Sequence, residues 1–257
     1  MRERVISITN VSYTYHDGTP AIKGISLDIF SGESVGVIGP NGAGKTTLLL
    51  HLNGILSSEN GSVKIRGRET RKENIKGIRR DVGLVFQDPD DQLFMPTVFD
   101  DVAFGPINMG YADEEVRKRV AQALEWVGMK GYEGRSPHHL SVGEKKRIAI
   151  ATILSMSPEI LVIDEPTANL DPRAKWELIE LLKGLPMTKV VASHDLEMVA
   201  ALCERTIILD EGKVVADDTT ASIMSNTALL ERHGLAPAPR IIEAQSRGSN
   251  QVPSPNG

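Results

Sequence analysis

The chain has 257 residues and a formal net charge of -5 at pH 7, and 40% of its residues are hydrophobic. This length provides for one large domain, or for a domain with a subdomain and a tail. The acidic balance argues against broad nucleic-acid binding through a basic surface. A single cysteine, Cys203, excludes an intramolecular disulfide bond and is expected in the core. The apolar stretches are far shorter than the roughly 18 residues that span a bilayer, so we expect any membrane role to depend on a partner.

The first third of the chain is predicted to consist mainly of strands. Apolar residues alternate over 5–11 and 25–29, on either side of the turn-rich segment 16–20. This period of two, interrupted by a turn, predicts antiparallel strands. The next predicted elements are a short buried strand at 34–38, a helix at 44–53, and strands at 61–66 and 82–86.

The middle of the chain changes character. Three prolines and several acids occur between residues 87 and 110, and we expect an irregular segment there. Between 113 and 128 the apolar residues recur on one helical face, and a glycine ends the run. A second helix is expected from Ser141 to just before Pro158.

The last part alternates strands with helices. The predicted elements are a strand at 160–163, a helix at 172–184, a strand at 189–192, a helix at 195–203, and strands at 206–209 and 213–216. Such alternation predicts an α/β fold with a parallel sheet and flanking helices. We assign residues 1–235 to one domain, with a helical subdomain inserted at about 88–157. From Ala236 the composition shifts to Pro, Ser, Asn and Gly, which predicts a disordered tail over 236–257.

One glycine-rich segment matches the phosphate-binding pattern G-x-x-x-x-G-K-[ST]. It lies between a predicted strand and a predicted helix, and it consists of Gly39, Pro40, Asn41, Gly42, Ala43, Gly44, Lys45 and Thr46. In such a loop the backbone N–H groups and the helix N-terminus hold phosphate oxygens. The Lys45 ammonium adds charge near the β- and γ-phosphates, and the Thr46 hydroxyl is a ligand for Mg²⁺. The segment therefore predicts a nucleoside triphosphate site.

Two adjacent carboxylates, Asp164 and Glu165, end the predicted strand at 160–163. A buried carboxylate is costly unless it serves a cation, and in phosphate-loop NTPases the first acid at this strand end holds Mg²⁺. Successive strand residues point to opposite sides, so Glu165 cannot duplicate Asp164. We therefore assign Asp164 to Mg²⁺, and Glu165 to orienting or deprotonating the attacking water.

Two further polar residues follow predicted strand ends. His194 comes after the strand at 189–192, from where it can reach a γ-phosphate. Gln87 follows the strand at 82–86, where its amide can ligate Mg²⁺ or position water. Taken alone, each of these residues also fits a structural role.

Together these motifs resemble the ATP-binding subunits of ABC transporters, over about residues 3–235. In that family's order they are the phosphate loop, Gln87 of the Q-loop, the signature Leu140-Ser141-Val142-Gly143-Glu144, the Walker B acids Asp164 and Glu165, and the switch histidine His194. The resemblance implies a phosphate-loop NTPase core with an N-terminal antiparallel β subdomain and an inserted helical subdomain. It implies that Tyr15 stacks on adenine, and that Thr47 joins the ATP contacts. It also implies catalytic roles for Lys45, Glu165 and His194, and contacts from Ser141, Val142, Gly143 and Glu144 to the ATP of a partner subunit.

A narrower resemblance is to the ATPases of energy-coupling factor importers, of the type that serves cobalt or nickel uptake. It rests on residues 85–110 and on the sequence from Leu140 to Pro172. It implies ATP and Mg²⁺ as cofactors, and an identical or closely related second ATPase that forms a head-to-tail dimer. It further implies a transmembrane coupling protein and a substrate-binding membrane subunit as partners, a place at the cytoplasmic face of the membrane, and no nucleic acid. Four apolar residues are candidates either for the membrane contact or for burial in the helical subdomain: Leu93, Phe94, Met95 and Phe104.

The signature departs from the family's usual Leu-Ser-Gly-Gly-Gln at two positions, Val142 and Glu144. Valine disfavours positive φ, so either position 142 does not need that conformation or the loop differs. Ser141 and Glu144 have the spacing of a capping box, so glutamate preserves the local chemistry of glutamine. We expect an active ATPase.

Other functions share parts of this pattern. An importer for another micronutrient or vitamin would carry the same motifs. A soluble ABC ATPase that acts on DNA or ribosomes usually has two fused ATP domains or a long coiled coil. A binding module with a dead site would lack acids such as Glu165. A phosphate-loop kinase needs no signature. The neighbouring pair His138 and His139 is a poor chelate by itself, and we expect it to be structural or exposed.

Overall fold

The computed structural model describes residues 2–235. The strands in this range are β1 (Arg4–Thr14), β2 (Pro20–Phe30), β3 (Ser34–Ile38), β4 (Asn60–Ile65), β5 (Arg68–Glu69), β6 (Val82–Val85), β7 (Ile160–Asp164), β8 (Thr188–Ala192), β9 (Arg205–Asp210) and β10 (Lys213–Thr219). The helices are α1 (Lys45–Leu52), α2 (Ile75–Asp81), α3 (Val98–Asn108), α4 (Asp113–Trp126), α5 (Val142–Leu154), α6 (Pro172–Gly184), α7 (Leu196–Leu202), α8 (Thr220–Ser225) and α9 (Thr227–Arg232). The tail predicted at 236–257 lies outside the described residues.

A six-stranded sheet in the order β10-β9-β3-β8-β7-β6 forms the centre of the fold. Its strands are parallel except for β10, which pairs with β9 as an antiparallel hairpin. A separate four-stranded antiparallel sheet has the order β2-β1-β4-β5. Helices α3, α4 and α5 lie between β6 and β7 in the sequence. The predicted α/β class, with a parallel sheet and an N-terminal antiparallel β part, is confirmed.

The central sheet has a different hydrophobic core on each face. On β7, Ile160 and Val162 pack in the core that contains the antiparallel sheet and α1, whereas Leu161 and Ile163 pack in the core that contains helices α3 to α7. Side chains alternate between the two faces of a strand, so a strand buried on both faces needs an uninterrupted apolar run. Cys203 is buried as expected, and burial raises the pKa of its thiol to about 12.

The segment 87–110 is not irregular throughout, contrary to our expectation, because α3 occupies its second half. The Thr97 side chain caps the start of this helix. Pro106 cannot donate to the carbonyl of Val102, four residues earlier. The hydroxyl of Ser155, at the end of α5, donates to that carbonyl at 2.9 Å. A tertiary hydrogen bond therefore replaces the helical one that proline removes. No local pattern in the sequence predicts this bond.

No helix described between residues 2 and 235 is long and apolar enough to cross a bilayer. The longest, α4, has 14 residues, so this part of the chain also lacks a long coiled coil.

Ser155→Ala removes the donor to the buried Val102 carbonyl. Because an unsatisfied buried acceptor costs about 1–3 kcal/mol, the free energy of unfolding should fall by about that amount in urea denaturation. Ser57→Ala, at an exposed site, is the control and should stay within about 0.5 kcal/mol of the wild type. Equal stability of all three proteins would show that the carbonyl finds another donor.

Candidate active site

The phosphate loop connects β3 to α1, as the sequence predicted. Gly44 has φ +99°, and a Cβ at this position would lie 2.5 Å from the carbonyl oxygen of Ala21, so glycine is needed for both reasons. Lys45 is 7% exposed, and its Nζ donates to the carbonyls of Gly39 at 2.8 Å and Pro40 at 3.1 Å. Burial lowers the pKa of Lys45, and the nearby carboxylates of Glu165 and Asp164 oppose that shift. The loop therefore encloses the Lys45 ammonium group.

Three residues that we assigned to Mg²⁺, Thr46, Gln87 and Asp164, line one cavity of about 460 Å³. The Thr46 hydroxyl donates to Oδ2 of Asp164 at 2.6 Å. The other oxygen of Asp164, Oδ1, is buried and accepts no hydrogen bond from any residue between 2 and 235. Burial raises the pKa of Asp164, the Thr46 hydrogen bond lowers it, and the charge of Glu165 raises it. An orphaned carboxylate oxygen in such a place calls for a cation.

These ligands fit Mg²⁺, which prefers hard oxygen donors and retains part of its water shell. Asp164 and Thr46 would hold the ion directly or through water, and Gln87 lines the same cavity. Held there beside a nucleotide, Mg²⁺ would supply positive charge that offsets the charge of the phosphate groups.

The Glu165 carboxylate lies beside His194, where β7 and β8 end. Oε1 of Glu165 is 2.9 Å from Nδ1 of His194 and accepts the His194 backbone N–H at 3.1 Å. The Glu165 side chain is 9% exposed, whereas the His194 side chain is 65% exposed. The structure thus brings together two of the three residues to which the resemblance gave catalytic roles.

Tyr15 lies next to the phosphate loop and is 37% exposed. Its hydroxyl is hydrogen-bonded to Oγ1 of Thr47 at 2.9 Å, and its ring meets that of Tyr13 edge to face with centroids 5.2 Å apart. The phenol is therefore held at the edge of the loop with part of its ring open to solvent. This arrangement suits an aromatic platform for a base.

The signature stretch begins α5, and the predicted capping box is confirmed: the Ser141 hydroxyl accepts the N–H of Glu144, and the Glu144 carboxylate accepts the N–H of Ser141. The Tyr132 hydroxyl also donates to Glu144 at 2.8 Å. Val142 is the first helical residue, 45% exposed, and has negative φ. Position 142 therefore does not need a glycine in this chain. Of the four signature residues from 141 to 144, Val142 alone reaches the cavity around Asp164.

A family model for ABC transporters matches residues 22–168, which is more than half of the chain. The chain belongs to the ABC transporter family. An ABC transporter ATP-binding protein of Geobacter sulfurreducens is 54% identical to this ABC ATPase, over 90% of this chain and 92% of the relative. The energy-coupling factor transporter ATP-binding protein EcfA of Methanothermobacter thermautotrophicus is 50% identical, over 95% of this chain and 79% of the relative.

Solved structures give the same assignment. The structure of cbiO1 from Clostridium perfringens, part of the ABC transporter complex cbiONQ, matches with a TM-score of 0.81 and 36% identity, over 95% of this chain and 99% of that one. A dimeric post-hydrolysis state of the cassette MJ0796, bound to ADP and Pi, matches with a TM-score of 0.75 and 31% identity, over 84% of this chain and 98% of that one. This ABC ATPase binds and hydrolyses ATP.

Two residues at the site were not predicted from the sequence. Lys146 is 5% exposed, and its Nζ donates to the carbonyls of Gln87 and Glu165, each at 3.1 Å. A signal existed, since Lys146 falls on the same helical face as Ile150 and Ile153, and a cation within an apolar stripe needs buried partners. The other residue, Ser193, had no signal beyond its place before His194.

The pair His138 and His139 is exposed, and no group of three metal-ligating side chains occurs in the described residues.

Asp164→Asn keeps the shape of the side chain but removes its charge. We expect ATP hydrolysis to fall at least about a hundredfold, and the Mg²⁺ concentration for half-maximal activity to rise, in a phosphate-release assay with titrated Mg²⁺. Asp90→Asn, the same change at another carboxylate that lines this cavity, is the matched control. An unchanged Mg²⁺ requirement in Asp164→Asn would remove Asp164 from the metal site.

Proposed function

We propose that this ABC ATPase is the ATP-hydrolysing subunit of an importer of the energy-coupling factor type, peripheral to the cytoplasmic face of the cell membrane. The similarity to EcfA and to cbiO1 along nearly the whole chain carries this proposal. Its partners are a second ATPase of the same or a closely related sequence, a transmembrane coupling protein and a substrate-binding membrane subunit. Nucleic acid is not among them.

Two ATPase subunits form a head-to-tail dimer in this proposal, with each ATP between the phosphate loop of one chain and the signature of the other. The exposed start of α5 supports this arrangement, because Ser141, Gly143 and Glu144 do not line the cavity of their own chain within the described residues. A helix N-terminus attracts phosphate through its partial positive charge. Two such sites follow from two-fold symmetry. ATP closes the dimer because phosphate and signature meet only in the closed state, and hydrolysis reopens it.

Within each site, Lys45 binds the β- and γ-phosphates, and Tyr15 stacks on adenine. Glu165 takes the proton of the attacking water as general base, and His194 turns from Glu165 to the γ-phosphate. Asp164, Thr46 and Gln87 would hold Mg²⁺. The closeness of these groups at neighbouring strand ends supports the assignment.

Glu165→Gln tests the hydrolytic role. The amide keeps the shape but takes no proton, so turnover should fall at least about a hundredfold while ATP binding persists and an ATP-bound dimer accumulates. Phosphate release and size-exclusion chromatography with ATP measure the two effects. His194→Ala should also lower turnover, and Glu73→Gln, at an exposed acid, should not. Wild-type turnover in Glu165→Gln would contradict the assignment.

A groove of about 950 Å³ is the proposed docking site for the transmembrane coupling protein; α2, the edge strand β6, α3 and α5 surround it. Phe94 and Phe104 line it, 60% and 46% exposed, with their rings edge to face at 5.2 Å. Two large exposed apolar side chains in one concave surface indicate an interaction site. Leu93, which we also considered for this contact, is 3% exposed and belongs to the core beside the helices. Met95 is half-buried and does not line the groove.

One buried acid in the groove supports the same proposal. Oδ1 of Asp101 accepts the N–H groups of Phe94 and Met95, each at 3.0 Å. Its Oδ2 is buried and has no hydrogen-bond partner in the described part of the chain. Burial raises the pKa of Asp101, and these backbone hydrogen bonds oppose the rise. A donor from a docked helix would satisfy this oxygen.

Phe94→Ala and Phe104→Ala together should abolish co-purification with the membrane subunits while ATP hydrolysis by the isolated chain stays within about twofold of the wild type, because buried aromatic anchors dominate such interfaces. Trp126→Ala, at a residue that is 48% exposed and outside the groove, is the matched control. Retention of the complex by the double variant would place the docking surface elsewhere.

Cobalt or nickel is the proposed cargo, supported by the resemblance of residues 85–110 to ATPases that serve uptake of these metals. No metal passes through this subunit, so the test is uptake of radioactive cobalt and nickel by cells that co-express the chain with its membrane subunits. Glu165→Gln should stop that uptake. Uptake of another micronutrient or a vitamin in place of both metals would overturn the cargo and leave the importer intact.

A further inference from the structure

The Glu165 carboxylate is held by three groups in its own chain. Oε2 accepts the Ser193 hydroxyl at 2.9 Å, and Oε1 accepts the His194 N–H at 3.1 Å and lies 2.9 Å from Nδ1 of His194. Hydrogen bonds to an ionised carboxylate are the stronger kind, with strict geometry. The position of the carboxylate therefore depends on two consecutive residues after β8.

These two side chains differ in mobility. The His194 side chain is 65% exposed and has room to rotate. Ser193 is 0% exposed, and its N–H donates at 3.1 Å to the carbonyl of Val37, in the strand that leads into the phosphate loop. The main chain of Ser193 is thus bonded to the sheet and its side chain is buried, whereas the imidazole is largely exposed.

The direction of the Ser193 hydroxyl is also determined. The N–H of Asp195 donates to Oγ of Ser193 at 3.0 Å. One lone pair of the hydroxyl is thereby used, and its proton points to Glu165. Asp195 is itself held, since its carboxylate accepts the Thr167 hydroxyl and the Lys175 ammonium, each at 3.0 Å. A serine hydroxyl in so defined a network acts as a fixed donor.

The backbone of Glu165 adds a second reason for a fixed donor. Glu165 has φ +43°, a left-handed conformation that is uncommon for residues other than glycine and persists only where the surroundings impose it. The buried ammonium of Lys146 donates to its carbonyl at 3.1 Å. The main chain is therefore held at the carbonyl, and the side chain at the carboxylate.

The role of His194 at the γ-phosphate creates a conflict that Ser193 resolves. When the imidazole leaves Glu165 for the phosphate, the carboxylate loses one of its three partners. We propose that Ser193 is a positioning residue of ATP hydrolysis, whose buried hydroxyl keeps the Glu165 carboxylate aligned with the attacking water after His194 has turned away. This inference rests on the roles proposed for Glu165 as general base and for His194 at the γ-phosphate. Ser193 is completely buried and acts through the Glu165 carboxylate.

Ser193→Ala removes the donor without adding volume. We expect kcat to fall about tenfold or more, since a misplaced catalytic group loses that much rate, while the KM for ATP stays unchanged because the phosphate loop keeps its contacts. Ser193→Thr retains the hydroxyl and should restore at least half of the wild-type kcat. The assays are steady-state phosphate release and ATP binding. Thermal unfolding shows whether each variant is folded.

A combination with Glu165→Gln tests whether Ser193 acts through Glu165. In single-turnover reactions with enzyme in excess, Ser193→Ala should slow the wild type but add no loss to Glu165→Gln, because residues that act as a unit are not additive. A further loss of the same size would overturn the proposal. So would wild-type kcat in Ser193→Ala, or a loss that follows weakened ATP binding or a lowered Tm.

The outcomes also separate this inference from the proposed function. Wild-type turnover in Glu165→Gln would contradict the general-base role of Glu165, and with it the positioning role proposed for Ser193. An inactive Glu165→Gln beside a fully active Ser193→Ala leaves the general base in place and removes Ser193 alone.

Discussion

Hydrogen bonding between β3, β8 and β7 aligns three strand ends, and each end carries part of the candidate nucleotide site. Ala192 is opposite Val37 on one side and opposite Asp164 on the other. Within a few residues of these paired positions lie the phosphate loop, the acids Asp164 and Glu165, and the consecutive residues Ser193 and His194. A one-residue slip in either pairing would exchange the two apolar faces of a strand and carry the acids away from the loop. The register that buries the core is therefore the register that assembles the site.

Charges in this site are compensated at close range. Lys45, Lys146, Asp164 and Glu165 are all at least nine-tenths buried, and each has a polar partner in the chain. Fixed dipoles and charges act strongly where water is excluded, and they cost no reorganisation when a nucleotide arrives. The one polar atom of this set left without a partner in the described residues is Oδ1 of Asp164, and this residue lines the cavity proposed for Mg²⁺.

Helix α5 connects the proposed docking groove to the candidate site by direct contacts. Gln92, which lines the groove, donates to the carbonyl of Ala149 and to the Thr152 hydroxyl on α5, each at 2.7 Å. One turn earlier on the same helix, Lys146 reaches the backbone of Gln87 and of Glu165. A helix moved by a docked partner would therefore move the residues around the hydrolytic step.

The sequence determined the local parts of this protein. The spacing of Gly39, Gly44 and Lys45 specifies a phosphate loop, uninterrupted apolar runs specify buried strands, and Ser141 with Glu144 specifies a capped helix start, because these patterns report chemistry between residues close in the chain. The order of motifs was enough for the family.

Tertiary structure alone decided what depends on distant partners. Helix α3 survives Pro106 because Ser155 supplies the missing donor, and position 142 accepts valine because it is already helical. Leu93 packs in the core while its neighbour Phe94 faces the groove. The Ser193 hydroxyl, after β8, donates to the Glu165 carboxylate, after β7. Hydrogen bonds and burial of this kind join residues far apart in sequence, so no window of the sequence contains both partners.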